Sequence, residues 1–127
     1  MRTPTDHHDC LTEQVIRRAF TVHNTLGAGF LEKVYENALA HELRKAGLSV
    51  RQQQSVDVHY DTIIAGTYIA DLVIEARLAV ELKAVKALDN IHMAQALNYL
   101  RASDLPTCLL LNFGRPRMEI RRVSNRD

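Results

Sequence analysis

The stretch Gly66–Lys83, with the sequence GTYIADLVIEARLAVELK, decides the fold of this chain. Five of its apolar side chains share even numbers: Leu72, Ile74, Leu78, Val80 and Leu82. Four of its charged side chains share odd numbers: Asp71, Glu75, Glu81 and Lys83. Alternation with period two is typical of strands, so this stretch predicts two antiparallel strands joined by a turn centred on Ala76, with the even set on one face.

The same register places Asp71 directly across from Glu81. Directly opposed side chains have Cβ atoms about 5 Å apart, so two carboxylates repel each other and destabilise a bare hairpin. A divalent cation between them would offset the repulsion, and hard oxygen ligands suit Mg²⁺ or Mn²⁺. Lys83 follows on the same face, where it could orient a water molecule or neutralise a phosphate. The alternative is a solvent-exposed polar face on which Lys83 only pairs with a carboxylate.

Two helical segments and one more strand precede this hairpin. Apolar residues recur at helical spacing from Leu11 to Leu26 and again from Leu31 to Leu43. Gly47 ends the second helix, because glycine takes the positive φ of a helix terminus without a Cβ penalty. A strand with period two then leads to a turn at Asp61 and Thr62. We expect residues 1–10 to form a flexible tail and residues 11–127 a single domain.

One helix and two strands follow the hairpin. Asp89 is a suitable N-cap for a helix that ends near Ala102. The apolar run 107–112 predicts a strand buried on both faces, and 117–123 a last strand. The predicted order α-α-β-β-β-α-β-β indicates a mixed α/β (α+β) fold, with helices packed on a mixed sheet.

Composition and charge restrict the class of protein. The 127 residues are 46% hydrophobic and 24% charged, which is typical of one globular domain and not of a disordered chain. A net charge of +1 excludes a strongly basic nucleic-acid coat. No apolar run approaches the roughly 20 residues of a membrane span, and no signal peptide is evident, so we expect a cytoplasmic protein without a membrane partner. The two cysteines indicate no disulfide framework.

Other candidate residues lie on the helices and near the end of the chain. Glu32 and Tyr35 are three residues apart and share a helix face, although an acid in a first turn is also favoured by the helix dipole alone. Gln95 and Tyr99 belong to a polar stripe on the helix after Asp89. Near the C-terminus, arginines could contact phosphates, or could simply belong to a solvated strand: Arg115 and Arg117.

The run Gly29–Tyr35 matches the pattern G-x-x-E-x-x-Y, and the chain resembles the GxxExxY protein family. These small bacterial proteins are assigned to the PD-(D/E)xK nuclease superfamily, whose core order is α-β-β-β-α-β. The resemblance runs from about Glu13 to Val123. It implies that Asp71, Glu81 and Lys83 are the motif residues, although Ala70 stands where the name-giving proline would be.

The resemblance also implies the function and the remaining site residues. It implies a nuclease dependent on Mg²⁺ or Mn²⁺ that acts on nucleic acid, with DNA as the expected form and a homodimer as the expected assembly. Metal ligands would be Asp71, Glu81 and Glu32, the last matching an acid on the first core helix. Substrate contacts would come from Gln95 and Tyr99, which match a Q-x-x-x-Y element, and from Tyr35, Arg115 and Arg117.

Two other functions stay open from the sequence. The same fold could serve as a non-catalytic module that binds nucleic acid or a protein. Metal-dependent hydrolysis of a small phosphoester is a third reading, although the chain has neither of the glycine-rich phosphate loops G-x-x-x-x-G-K-[ST] and G-x-G-x-x-G.

Overall fold

The computed structural model describes residues 4–125 of the chain. Two helices come first, α1 (Pro4–Leu26) and α2 (Glu32–Lys45). Three strands follow, β1 (Val50–Tyr60), β2 (Ile63–Ile74) and β3 (Leu78–Lys83). The chain then forms α3 (Asn90–Ser103), β4 (Thr107–Asn112) and β5 (Glu119–Ser124). This order confirms the predicted mixed α/β fold.

The first helix begins earlier than predicted. It starts at Pro4 and not at Leu11, so residues 4–10, expected in a tail, continue α1. Proline suits a first helical position because its missing N–H would have no partner there. Leu11, where the apolar spacing starts, packs in the hydrophobic core. Residues 1–3 of the expected tail lie outside the described residues.

The five strands form one sheet in the order β1-β2-β3-β4-β5. Only β3 and β4 are parallel, and the other neighbours are antiparallel. The even-numbered side chains of the hairpin, Leu72 to Leu82, are buried against α1 and α2, as predicted. The opposite face packs on α3 through Val73, Ala79 and Leu110. No helix in the described part of the chain is long and apolar enough to cross a membrane.

The hairpin has the predicted register. Leu72 pairs with Val80 and Ile74 with Leu78, which are the partners that the parity of the sequence indicates. In the turn, Glu75 and Ala76 have positive φ values of 55° and 54°. The regular pairing stops at Leu72, so Asp71 lies where β2 and β3 separate.

A buried amide fixes the chain that follows β3. Asn112, on β4 beside Lys83, is fully buried. Its Oδ1 accepts hydrogen bonds from the N–H groups of Val85 and Gly114, both at 3.0 Å. Its Nδ2 donates to the Val85 carbonyl at 3.0 Å and to Glu119 Oε1 at 2.9 Å. A Cβ on Gly114 would lie 2.5 Å from the Val85 nitrogen, so the two loops meet only because this residue is glycine.

Tyr35 closes the turn between α1 and α2. Its side chain is fully buried, and its ring stacks on Phe113 with centroids 4.6 Å apart. Its hydroxyl donates to the Gly27 carbonyl at 2.5 Å and accepts the Phe30 N–H at 3.1 Å. Within the turn, Gly29 has a φ of 119°, which a residue with a Cβ rarely adopts. The two ends of the G-x-x-E-x-x-Y pattern therefore hold a turn, which corrects the expectation that Tyr35 contacts substrate.

Replacing Tyr35 with phenylalanine tests this structural role. We expect the Tyr35→Phe variant to lose about 1–3 kcal/mol of unfolding free energy, because two backbone groups lose their hydrogen-bond partner. Urea unfolding measures the loss. Tyr60→Phe is the matched control, since Tyr60 is 72% exposed. Equal unfolding midpoints for the two variants would contradict the role assigned to Tyr35.

Candidate active site

Two carboxyl groups meet where β2 and β3 separate. Asp71 Oδ2 accepts the Leu82 N–H at 2.8 Å, and its Oδ1 accepts a hydrogen bond from Gln53 Nε2 at 3.2 Å. The side chain of Glu81 hydrogen-bonds to Asp71 on the same side. The hairpin therefore brings the two acids together, as its register predicts.

This proximity changes the protonation of Glu81. Burial, followed by the negative charge of Asp71, raises the pKa of Glu81 to about 8. The positive charge of Lys83 opposes this rise but does not cancel it. At neutral pH Glu81 therefore mostly keeps its proton, and a positive charge that comes close favours its ionised form.

The two acids suit a hard divalent cation that takes only a few of its ligands from the protein. Oxygen ligands suit Mg²⁺ and Mn²⁺, and Mg²⁺ is usually held by one or two carboxylates together with substrate phosphates. Among the described residues, no group of three or more acidic, histidine or cysteine side chains could hold a metal. Of the three expected ligands, the structure brings Asp71 and Glu81 together, and Glu32 as a third ligand stays a prediction.

Lys83 and Glu81 line a cleft of about 340 Å³, which we name the Lys83 cleft. One wall is the stretch Thr67–Ile69 of β2, and the other is the face of α3 that carries His92, Gln95 and Tyr99. Within residues 10–125 Lys83 forms no ion pair. Its ammonium group is therefore available to an anion that enters the cleft.

Helix α3 supplies the polar wall of this cleft. Asp89 caps the helix through Oδ1, which accepts the N–H groups of Ile91 at 2.9 Å and His92 at 3.3 Å. Gln95 is exposed in the cleft, whereas Tyr99 is only 2% exposed. The Tyr99 hydroxyl donates to the Gln54 carbonyl at 3.2 Å. Burial, with a smaller contribution from the charge of Glu81, raises the pKa of Tyr99.

Glu32 lies beside the end of β3 but not in the Lys83 cleft. Its Oε2 accepts the Ala84 N–H at 3.4 Å, and Ala84 directly follows Lys83. Glu32 lines a second cleft together with Gly29, Leu31 and Gly114. The structure thus brings Glu32 to the motif strand without joining it to the acid pair.

The acid on α2 that connects to the pair is Glu36. It is 3% exposed, and it accepts hydrogen bonds from Gln52 Nε2 and Gln53 Nε2, both at 2.8 Å. Lys33 pairs with it at 2.9 Å. Gln53 also donates to Asp71, so one side chain links the two acids. A signal for the burial of Glu36 is present in the sequence, because Glu36 falls on the same helical stripe as Leu39 and Leu43, which are buried.

The two arginines lie outside the Lys83 cleft. Arg115 and Arg117 are exposed in the loop between β4 and β5. Arg115 pairs with Glu119 at 3.5 Å, and its carbonyl oxygen lies 2.8 Å from His23 Nε2. Hydrogen bonds, first from Asn112 and then from the Leu88 N–H, lower the pKa of Glu119. These contacts place Arg115 near Gly114 and the second cleft.

The arrangement defines a class of protein. An α-β-β-β-α-β core, with an aspartate on its second strand and Glu-x-Lys on its third, is the framework of a nuclease-like fold. A sequence profile of the PD-(D/E)XK nuclease superfamily matches residues 9–123, and the chain belongs to that superfamily.

Two solved structures have the same fold. The crystal structure of SSO0001 aligns with a TM-score of 0.61 and 13% identity, over 73% of this chain and 50% of that chain. This chain therefore spans half the length of SSO0001. An alkaline exonuclease (LHK-Exo) from Laribacter hongkongensis aligns with a TM-score of 0.54 and 12% identity, over 98% and 72% of the two chains. No curated protein matches the sequence.

Proposed function

We propose that this protein is a nuclease that hydrolyses phosphodiester bonds of nucleic acid, with DNA as the expected substrate and Mg²⁺ or Mn²⁺ as cofactor. The observation that carries the proposal is the acid pair, in which Asp71 and Glu81 meet at the end of the β2–β3 pairing beside Lys83. Burial, and then the charge of Asp71, raises the pKa of Glu81 to about 8. Repulsion between the two carboxylates destabilises the metal-free protein, and a bound cation would relieve it. Membership of the superfamily supports the reaction type.

Asp71 and Glu81 would hold the cation. When bound, Mg²⁺ or Mn²⁺ would lower the pKa of a water molecule and withdraw charge from the phosphodiester. Asp71 keeps its orientation through the hydrogen bonds from Leu82 and Gln53. Glu36, connected through Gln53, would support Asp71 from α2.

Lys83 would stabilise the charge that develops on the phosphate oxygens, or orient the attacking water. It is suited to this role because it lies in the same cleft as Glu81 and has no ion-pair partner there. Gln95 would contact the sugar–phosphate backbone, and Tyr99 would shape the opposite wall. Arg115 and Arg117 would contact the nucleic acid only beyond the reacting phosphate, since they lie outside the cleft.

The proposal extends to the assembly and its location. We propose a cytoplasmic homodimer, which would double the number of phosphate contacts that one small domain can make. Exposed apolar side chains at the β1–β2 turn support a protein contact there, since Tyr60 is 72% exposed and Ile63 and Ile64 are each 59% exposed. Analytical ultracentrifugation tests this part, and a monomer at all concentrations would contradict it.

Calorimetry with Mn²⁺ tests the metal site directly. We expect Mn²⁺ to bind the wild type weakly without nucleic acid, and Asp71→Ala to abolish the binding because the pair loses one of its two carboxylates. Asp57→Ala is the matched control, as this aspartate is exposed on β1. Equal binding by wild type and Asp71→Ala would contradict the site.

Cleavage assays test the reaction. We expect the purified protein to cut some member of a panel of single- and double-stranded DNA and RNA in Mn²⁺, and to cut none in EDTA. Mn²⁺ binding without any cleavage would favour the non-catalytic binding module.

A further inference from the structure

The backbone of β1 is irregular at one residue opposite Asp71. Gln52 pairs with Leu72 and Gln54 pairs with Ala70, but Gln53, between them, has no partner in this register. Its φ is 54°, in the left-handed region. A glutamine in this region is under strain, and such strain persists only where the surrounding structure imposes it. The contacts of the Gln53 side chain therefore indicate what holds the backbone in this conformation.

The side chain of Gln53 joins two acids. Its Nε2 donates to Glu36 Oε1 at 2.8 Å and to Asp71 Oδ1 at 3.2 Å. An ionised carboxylate only accepts hydrogen bonds, so the amide nitrogen, with its two N–H groups, is the end of the side chain that faces both acids. Both donors of the amide are thus used, one on each carboxylate.

Glu36 is a fixed anchor for this link. It is buried, and it is held independently of Gln53 by Gln52 and Lys33. Asp71, in contrast, lies at the point where two strands separate, and there it accepts the Leu82 N–H and contacts Glu81. Gln53 therefore ties the aspartate of the pair to the helix layer.

We propose that Gln53 is a positioning residue, which holds Asp71 in the orientation needed for cation binding by attaching it to Glu36. The inference rests on the proposed function and adds a residue to it that no motif of the superfamily named above contains. The left-handed backbone at Gln53 is what turns the amide toward both acids. Partners of this kind around a metal ligand typically change metal affinity or activity by about 10- to 100-fold when removed.

Mn²⁺ titration calorimetry on the full chain tests the proposal. Gln53→Met keeps the length of the side chain and removes both donors. Gln53→Gly also removes the amide but relaxes the left-handed backbone, so it separates the side chain from the strain. Gln52→Met is the matched control, because Gln52 donates to Glu36 and Asn37 but not to Asp71. Circular dichroism and unfolding midpoints report whether each variant folds.

We expect Gln53→Met and Gln53→Gly to bind Mn²⁺ at least about 10-fold more weakly than the wild type, and Gln52→Met to bind like the wild type. In cleavage assays, both Gln53 variants should need more Mn²⁺ for half-maximal rate, with an unchanged KM for nucleic acid. A general loss of structure would not change the Mn²⁺ concentration for half-maximal rate while leaving the KM for nucleic acid unchanged.

Several outcomes would overturn the proposal. Wild-type affinity in either Gln53 variant would show that the amide is not needed, even if the other variant is weaker. An equal loss in Gln52→Met would show that Glu36 tolerates no nearby change, so that Gln53 has no specific role. If the wild type binds Mn²⁺ and the Gln53 variants match it, this inference fails alone; if the wild type binds no Mn²⁺, the proposed function fails and the inference with it.

Discussion

Replacing Lys83 with alanine is expected to lower kcat for phosphodiester cleavage by about 100-fold or more. The reason is that the ammonium group of Lys83, which forms no ion pair within residues 10–125 and lies in the same cleft as Glu81, acts mainly when negative charge develops on the phosphate. The fold should survive, since the side chain fills no apolar core volume and its loss should change stability by no more than about 1 kcal/mol.

The measurement compares wild type and Lys83→Ala, purified identically, first with Mn²⁺ and then with EDTA. Lys86→Ala is the matched control, because Lys86 is an exposed lysine in the loop after β3. Equal cleavage by wild type and Lys83→Ala would show that a contaminant cuts the nucleic acid. Calorimetry should show that Lys83→Ala still binds Mn²⁺, which separates loss of chemistry from loss of metal.

The affinity for Mn²⁺ should fall about 50-fold between pH 8 and pH 6. Cation binding requires both acids to be ionised, and Glu81, with a pKa near 8, must first release its proton. The affinity then falls about tenfold for each pH unit well below 8 and becomes constant well above 8. Calorimetry at several pH values, in buffers of different ionisation enthalpy, measures both the affinity and the released proton. A flat affinity from pH 6 to 8 would contradict the raised pKa.

The same group makes the metal-free protein less stable as pH rises. The pKa of Glu81 is higher in the folded chain than its ordinary value of 4.5, so between pH 4.5 and 8 the folded state holds a proton that the unfolded state has lost. The unfolding free energy therefore falls across this window and levels off above it. Glu81→Gln should remove the slope and stabilise the metal-free protein at pH 8 by roughly 3 kcal/mol.

The sequence predicted the features of the hairpin that depend on alternation. The parity of Leu72 and Val80 was enough for the register, because a shift by one residue would have moved the whole apolar set to the wrong face. The same parity, together with the family resemblance, predicted that four side chains lie close together: Glu81, Lys83, Gln95 and Tyr99. The proximity of Asp71 and Glu81 followed from the same register, although the regular pairing of the two strands stops one residue short of them, at Leu72.

The sequence did not predict which helix acid reaches the pair. The pattern G-x-x-E-x-x-Y directs attention to Glu32, but the connection depends on the left-handed φ of Gln53, which no periodicity encodes. Glu36 itself lies next to Tyr35 and resembles an ordinary helix-surface acid until its burial is known. Tyr35 was assigned to substrate because an aromatic residue with a hydroxyl suits both a binding surface and a buried turn.

Two residues fix the loop that follows β3, Asn112 and Gly114, and their presence in a protein indicates a shared fold but not a shared activity. The Asn112 side chain accepts two hydrogen bonds and donates two, so an aspartate there would lose both donors and a serine would be too short to replace them. Gly114 is equally restricted by the backbone of Val85. Neither residue belongs to the proposed chemistry. A related protein that keeps this amide and this glycine but has lost Asp71 and Glu81 would therefore retain the frame of a nuclease without the means to act as one.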